Sequence, residues 1–172
     1  MVTASQSQGT GSGPNQADAR AAAFGRILAL LMASPRHSGM TLADANALVA
    51  PAVALGQIAM MGAKQTEEAP MALVAAAWWA FVSPEVDQRL TDNREPHLRL
   101  EAGEWKCGDQ PWLIETIGDP RVVNELVKRL AVTTFKDTPA KLRAILPDGR
   151  VAVGRLEPRP PGSEPPASPQ TG

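Results

Sequence analysis

MALVAAAWWAFV, Met71 to Val82, followed at once by Ser83-Pro84-Glu85, is the stretch on which the fold turns. These twelve residues carry no polar side chain. They fall short of the ~20 that a membrane-spanning helix needs. The alanines suit a helix, whereas the length and the Val, Trp and Phe content suit a strand buried on both faces. The next three residues favour the strand. Ser83 is a good N-cap, Pro84 fits a first helical turn and Glu85 complements the helix dipole, so a helix starts there and the apolar run precedes it as a strand.

Working outward, Trp112 to Ile117 reads as another strand, and Val122, Leu126 and Leu130 fall on one side of a helix. Arg143 to Leu146 and Val151 to Leu156 flank Pro147-Asp148-Gly149 and predict a hairpin. Towards the N-terminus, Phe24, Ile27, Leu28 and Leu31 have helical spacing over residues 20–33, and Pro35 stops that helix at Ser34. Thr41-Leu42-Ala43-Asp44 has the form of a capping box opening a second short helix. Pro51 is expected to break it, leaving Ala52 to Met61 as a strand. The pattern predicts one α/β (α+β) domain around a single sheet over residues 18–157. Residues 1–17 are Ser-, Gly- and Gln-rich and read as disordered, and the Pro-rich end from Pro158 as a solvated tail.

The bulk numbers narrow the function classes. With 172 residues, 44% of them hydrophobic, the chain can bury a substantial core. A net charge of −1 supplies no broad electrostatic footprint for nucleic acid or an anionic membrane. The first nineteen residues hold no Lys or Arg and no apolar run, unlike a secretory signal. The single cysteine, Cys107, excludes an intrachain disulfide and fits a reducing compartment, so a soluble cytoplasmic protein is expected.

Two histidines are present. His37, in Ser34-Pro35-Arg36-His37, comes after the first helix on what reads as a loop, a suitable place for proton transfer by an imidazole. Spacing alone would equally suit an ordinary polar loop residue. His97 lies in a polar stretch and reads as exposed. The densest cluster is Trp105-Lys106-Cys107-Gly108-Asp109-Gln110-Pro111-Trp112-Leu113-Ile114-Glu115. Gly108 allows a tight turn presenting Asp109 just before a strand, where a carboxylate can orient an imidazole; a plain turn aspartate has the same signature. Cys107 is more simply packing than a nucleophile. Two distant histidines and one cysteine make no metal-ligand set, and no Gly-rich phosphate-binding loop is present.

Ser34-Pro35-x-His37, joined with Trp105-x-x-Gly108-Asp109-x-x-Trp112-x-Ile114, resembles the toxin-activating lysine acyltransferases that mature RTX haemolysins. Pro51-Ala52-Val53 with Gln57, Trp79-Ala80-Phe81-Val82-Ser83 and Arg143-Ala144-Ile145 resemble further blocks of that family in the same order, over roughly residues 22–157. The resemblance implies an N-acetyltransferase-like fold, a mostly antiparallel sheet flanked by helices. It implies transfer of a fatty acyl group from acyl carrier protein, with no other cofactor, to an internal lysine of a protoxin.

His37 and Asp109 match the family's essential residues, with Ser34 in support. Removing a proton from the lysine ammonium then falls to His37 as general base, with Asp109 orienting it or stabilising the imidazolium, or else His37 is transiently acylated. Trp79 and Trp112, with the apolar strand, are expected in the acyl channel or the core. Neither nucleic acid nor stable membrane insertion is implied; a homodimer is left open. The departures are Cys107 for the usual serine, Ile58 where the family commonly has tyrosine, and Gly118-Asp119-Pro120-Arg121 for Ala-Pro-Phe-Gly. They leave room for an N-acyltransferase acting on another amine, or for a silent relative that only binds a carrier or partner.

Overall fold

The computed structural model describes residues 15–64, 66–68, 71–93, 99–146 and 148–158. Five strands form one sheet in the order β1 (Ile58–Ala63), β2 (Ala72–Val82), β3 (Gln110–Gly118), β4 (Ala140–Ile145) and β5 (Val151–Leu156). All neighbours are antiparallel except β3 and β4, which run parallel. Four helices complete the fold: α1 (Gln16–Ala33), α2 (Leu42–Leu55), α3 (Pro84–Asp92) and α4 (Pro120–Val132). This is the mixed α/β domain that the residue pattern predicts and the N-acetyltransferase-like architecture that the resemblance implies.

The apolar run is the second strand of the sheet, and both its faces are covered. Ala76, Trp78, Ala80 and Val82 point into a core built with Ile27 and Leu31 of α1, Val49 and Ala52 of α2 and Leu90 of α3. The alternate residues Ala75, Ala77 and Trp79 face Leu126 and Leu130 of α4, with Phe135 edge-on to Trp79. Strict alternation between two apolar environments is what makes this strand read as continuously hydrophobic.

Local chemistry sets the helix ends. The Ser83 side chain accepts from the Val86 amide at the start of α3, with Pro84 in the first turn. The Glu85 carboxyl is held below its usual range, chiefly by its hydrogen bond with Ser83 and then by its own backbone amide. Thr41 and Asp44 form the full capping box of α2.

Two expectations are corrected. Residues 16 and 17 are helical rather than disordered, because Asn15 caps α1 by accepting from the Ala17 amide. Pro51 does not end α2, so there is no strand from Ala52; the helix runs to Leu55 and the strand begins at Ile58. The buried stripe Ala45, Val49, Ala52 and Val53 continues through the proline at helical spacing. Its packing outweighs the missing amide donor. The helix stops instead at left-handed Gly56, φ 68°, where the Gln57 amide donates to Ala52 O at 2.9 Å. His97, Pro147 and the ends 1–14 and 159–172 lie outside the described residues.

Candidate active site

The parallel seam between β3 and β4 is short: only Trp112↔Lys141 and Leu113↔Leu142 pair. Beyond Leu113 the two strands part. A cavity of about 580 Å³ opens there, on the side of the sheet covered by α1–α3. Arg36, His37, Asp44, Arg99, Glu115 and Arg143 give it charged and polar lining, and Met40, Leu48, Leu100, Ile114, Ile145 and Val151 contribute apolar wall.

His37 ends the single 3-10 turn Pro35–His37 that comes directly after α1. The Ser34 amide donates to Leu31 O and the His37 amide to Ser34 O, so the chain folds back tightly over the helix end. This puts the imidazole inside the protein: His37, expected on a loop, lies in the 3-10 turn and is 5% exposed. Nδ1 lies 3.0 Å from Ser34 Oγ. Nε2 faces Glu115 Oε2 at 3.5 Å, an ion-pair separation too long for a hydrogen bond, and has no hydrogen-bond partner among the described residues.

Glu115 reaches this site through a bulge. On β3, Trp112 and Ile114 point to the α1–α3 side and Leu113 to the α4 side. Strict alternation would send Glu115 after Leu113. In the pairing with β2, however, Trp79 is opposite Leu113 and Trp78 opposite Glu115, so Ile114 is an extra residue. The extra residue reverses the alternation. Ile114, Glu115 and Ile117 all reach the α1–α3 side, and Glu115 meets His37. Its Oε1 accepts from Arg36 Nη2 at 2.5 Å and from the Thr116 amide at 3.0 Å.

Asp109 is elsewhere. It is exposed and accepts from Gln110 Nε2 at 3.0 Å, and it does not line the cavity. From Gln110 to Glu115 the extended strand covers roughly 17 Å. The structure therefore brings Ser34 and His37 together, and joins to them a glutamate rather than Asp109.

The tryptophan–glycine block that surrounds Asp109 is tied to the end of β2 and the cap of α3. Trp105 is buried and its carbonyl accepts from the Phe81 amide and from Gln57 Nε2. The Cys107 and Gly108 amides both donate to Phe81 O, and Cys107 Sγ accepts from the Ser83 amide at 3.2 Å. Trp112 is fully buried, its indole donating to Asp87, and Trp79 packs on the opposite face; neither lines the large cavity. No cluster of three or more potential metal ligands occurs among the described residues.

A five-stranded open sheet with helices on both faces, parted beside a buried imidazole that faces a partly buried carboxylate, is a fold of the N-acetyltransferase-like kind. The family model of the RTX toxin acyltransferases matches residues 16–153. The chain belongs to that family and is a toxin-activating acyltransferase, which implies a protein acceptor. The comparison with curated proteins finds no match. No helix among the described residues is long and apolar enough to cross a membrane.

Proposed function

We propose that this chain moves a fatty acyl group from the thioester of an acyl carrier protein to the ε-amine of a lysine inside a protein toxin. His37 serves as general base, and Glu115 serves as the carboxylate that presents the proton to it. The observation that carries this reading is the pair itself, a buried imidazole facing a carboxylate in the lining of a cavity that also has apolar wall.

A lysine ammonium, with an unperturbed pKa near ~10.4, is not a nucleophile at neutral pH. Glu115, 18% exposed in its side chain against 1% for His37, is the first of the two groups an incoming ammonium meets. The ammonium proton passes to Oε2 and, through one bridging water or a contact that tightens when substrate binds, on to Nε2, which requires the imidazole tautomer with its proton on Nδ1, donated to Ser34 Oγ. The neutral amine then attacks the thioester carbonyl. The C–N bond forms, the C–S bond breaks, and the departing thiolate takes the second amine proton. The apolar wall of the cavity accommodates the acyl chain. The proton held by the pair returns to solvent.

The experiment is incubation of the protein with carrier proteins charged with acyl chains of several lengths and with candidate protein acceptors, reading mass shifts on lysine. Transfer that disappears in His37→Ala supports the reading. Carrier binding without transfer to any lysine would favour a silent relative. An acyl group trapped on His37 itself would replace the base role with a covalent one.

A further inference from the structure

The motif Ser34-Pro35-x-His37 leaves its third position open, and here that position is arginine. Arg36 and His37 are consecutive in the 3-10 turn, and both reach across to the same carboxylate. Arg36 Nη2 donates to Glu115 Oε1 at 2.5 Å and to Thr116 O at 3.1 Å. Because the Thr116 amide also donates to Oε1 at 3.0 Å, that oxygen is saturated by two donors. Oε2 is left facing the imidazole at 3.5 Å.

We infer that Arg36 is a positioning residue: it fixes the Glu115 carboxylate from the side away from His37 and thereby makes Oε2 the oxygen that works with the imidazole. The inference rests on the reading that this pair handles the proton of acyl transfer. Without Arg36 the carboxylate has one backbone donor on one oxygen and is free to rotate about its terminal bond, which is broad and nearly two-fold. Both oxygens would then alternate in front of His37, and neither would hold a productive geometry.

An exposed ion pair is worth little on its own, and Arg36 is half exposed. Three features set this one apart. Its partner is four-fifths buried, so solvent screens it less. The guanidinium is anchored at two points through Nη2, a carboxylate oxygen and the next residue's carbonyl. And the held carboxylate is the one that faces the buried imidazole.

The test compares wild type with Arg36→Ala and Arg36→Lys in three measurements. Acyl transfer is followed at saturating charged carrier and acceptor. Thermal unfolding checks the fold. Nitrogen NMR of the His37 ring reads the imidazole environment without any turnover; with two histidines in the chain, His97→Gln assigns the signals. Arg36→Ala is expected to lower the maximal rate on the order of 10- to 100-fold. The acceptor KM changes little and the unfolding midpoint stays near wild type. The Nε2 signal moves, added ethylguanidine restores part of the rate, and Arg36→Lys recovers only part of it. Should the alanine variant fail to fold, Arg36→Gln carries the same comparison.

An unchanged rate and an unchanged Nε2 signal overturn the inference, as does a rate loss that tracks lost stability and resists guanidine. If wild type transfers no acyl group, the functional reading fails by itself, and the ring signal alone decides whether Arg36 positions Glu115.

Discussion

On the proposed base role of His37, the imidazole needs a carboxylate held in one place, and among the described residues Glu115 is the carboxylate that faces it. Glu115→Gln keeps the size and the hydrogen bond to Arg36 but removes the charge facing Nε2. A positioned acid–base group contributes typically ~10²–10⁴-fold, so the maximal transfer rate is expected to fall by about that factor with the fold intact. Asp109→Asn, on an exposed turn whose side chain touches Gln110, is expected to stay within a few-fold of wild type. Steady-state rates of the two variants side by side decide it; a large loss in Asp109→Asn with an active Glu115→Gln would sink the assignment. The imidazole could be named from the sequence through the resemblance that Ser34-Pro35-x-His37 carries, since spacing alone equally suited an ordinary loop residue. Its partner was not, because nothing in Trp112-Leu113-Ile114-Glu115 announces a bulge, and an unbroken strand would aim Glu115 at α4.

At the scale of elements, the same block that pointed to Asp109 proves to be a joint. The backbone of Cys107 and Gly108 lies against the end of β2, and a Cβ on Gly108 would stand 2.4 Å from Val82 O and 2.6 Å from Ser83 Cα. Neither neighbour is the flexible tip of a side chain; both belong to the strand end and the cap of α3. Gly108→Ala must therefore move backbone, and overpacking of this kind costs typically ~1–3 kcal/mol. The expected result is a lower midpoint in chemical denaturation with little change in slope. A variant as stable as wild type would show that the turn is freer than its contacts imply.

The starts of α2 and α3 and the end of α1 could be read directly, because caps and prolines act within a few residues. Pro51 misled for the opposite reason: the packing of Ala52 and Val53 against distant strands overrides a local signal, and only Gly56, in the left-handed region, marks the true stop. The apolar strand was legible because burial on both faces leaves a composition that few other structures share.

For the molecule as a whole, the cavity exists because the sheet is nearly divided in two. β1, β2 and β3 form one part and β4 and β5 the other, joined by the two register pairs Trp112↔Lys141 and Leu113↔Leu142. Asp87 on α3 straddles the first of these pairs. Its Oδ1 accepts from Trp112 Nε1 and its Oδ2 from Lys141 Nζ, each at 2.7 Å, while the same ammonium lies 5.8 Å from the Trp112 ring centre.

Asp87→Ala removes both acceptors, leaving an indole N–H in the core and a mostly buried cation without its carboxylate. Lys141 keeps 21% exposure, so the loss should fall below the range for a fully buried pair, at about 2–4 kcal/mol. Asp87→Asn, which keeps an acceptor for the indole, should cost less. The loss should also be uneven, since local openings report the contacts that hold each unit. Amides of the β4–β5 hairpin are expected to exchange faster, while those between β1 and β2 keep their protection until the whole domain unfolds. Arg143, Ala144 and Ile145 line the cavity from β4, so transfer should weaken along with that hairpin's protection. Hydrogen exchange resolved by strand makes the comparison. Equal acceleration in all five strands would mean that the sheet opens as a single unit and that the seam is no weaker than the rest.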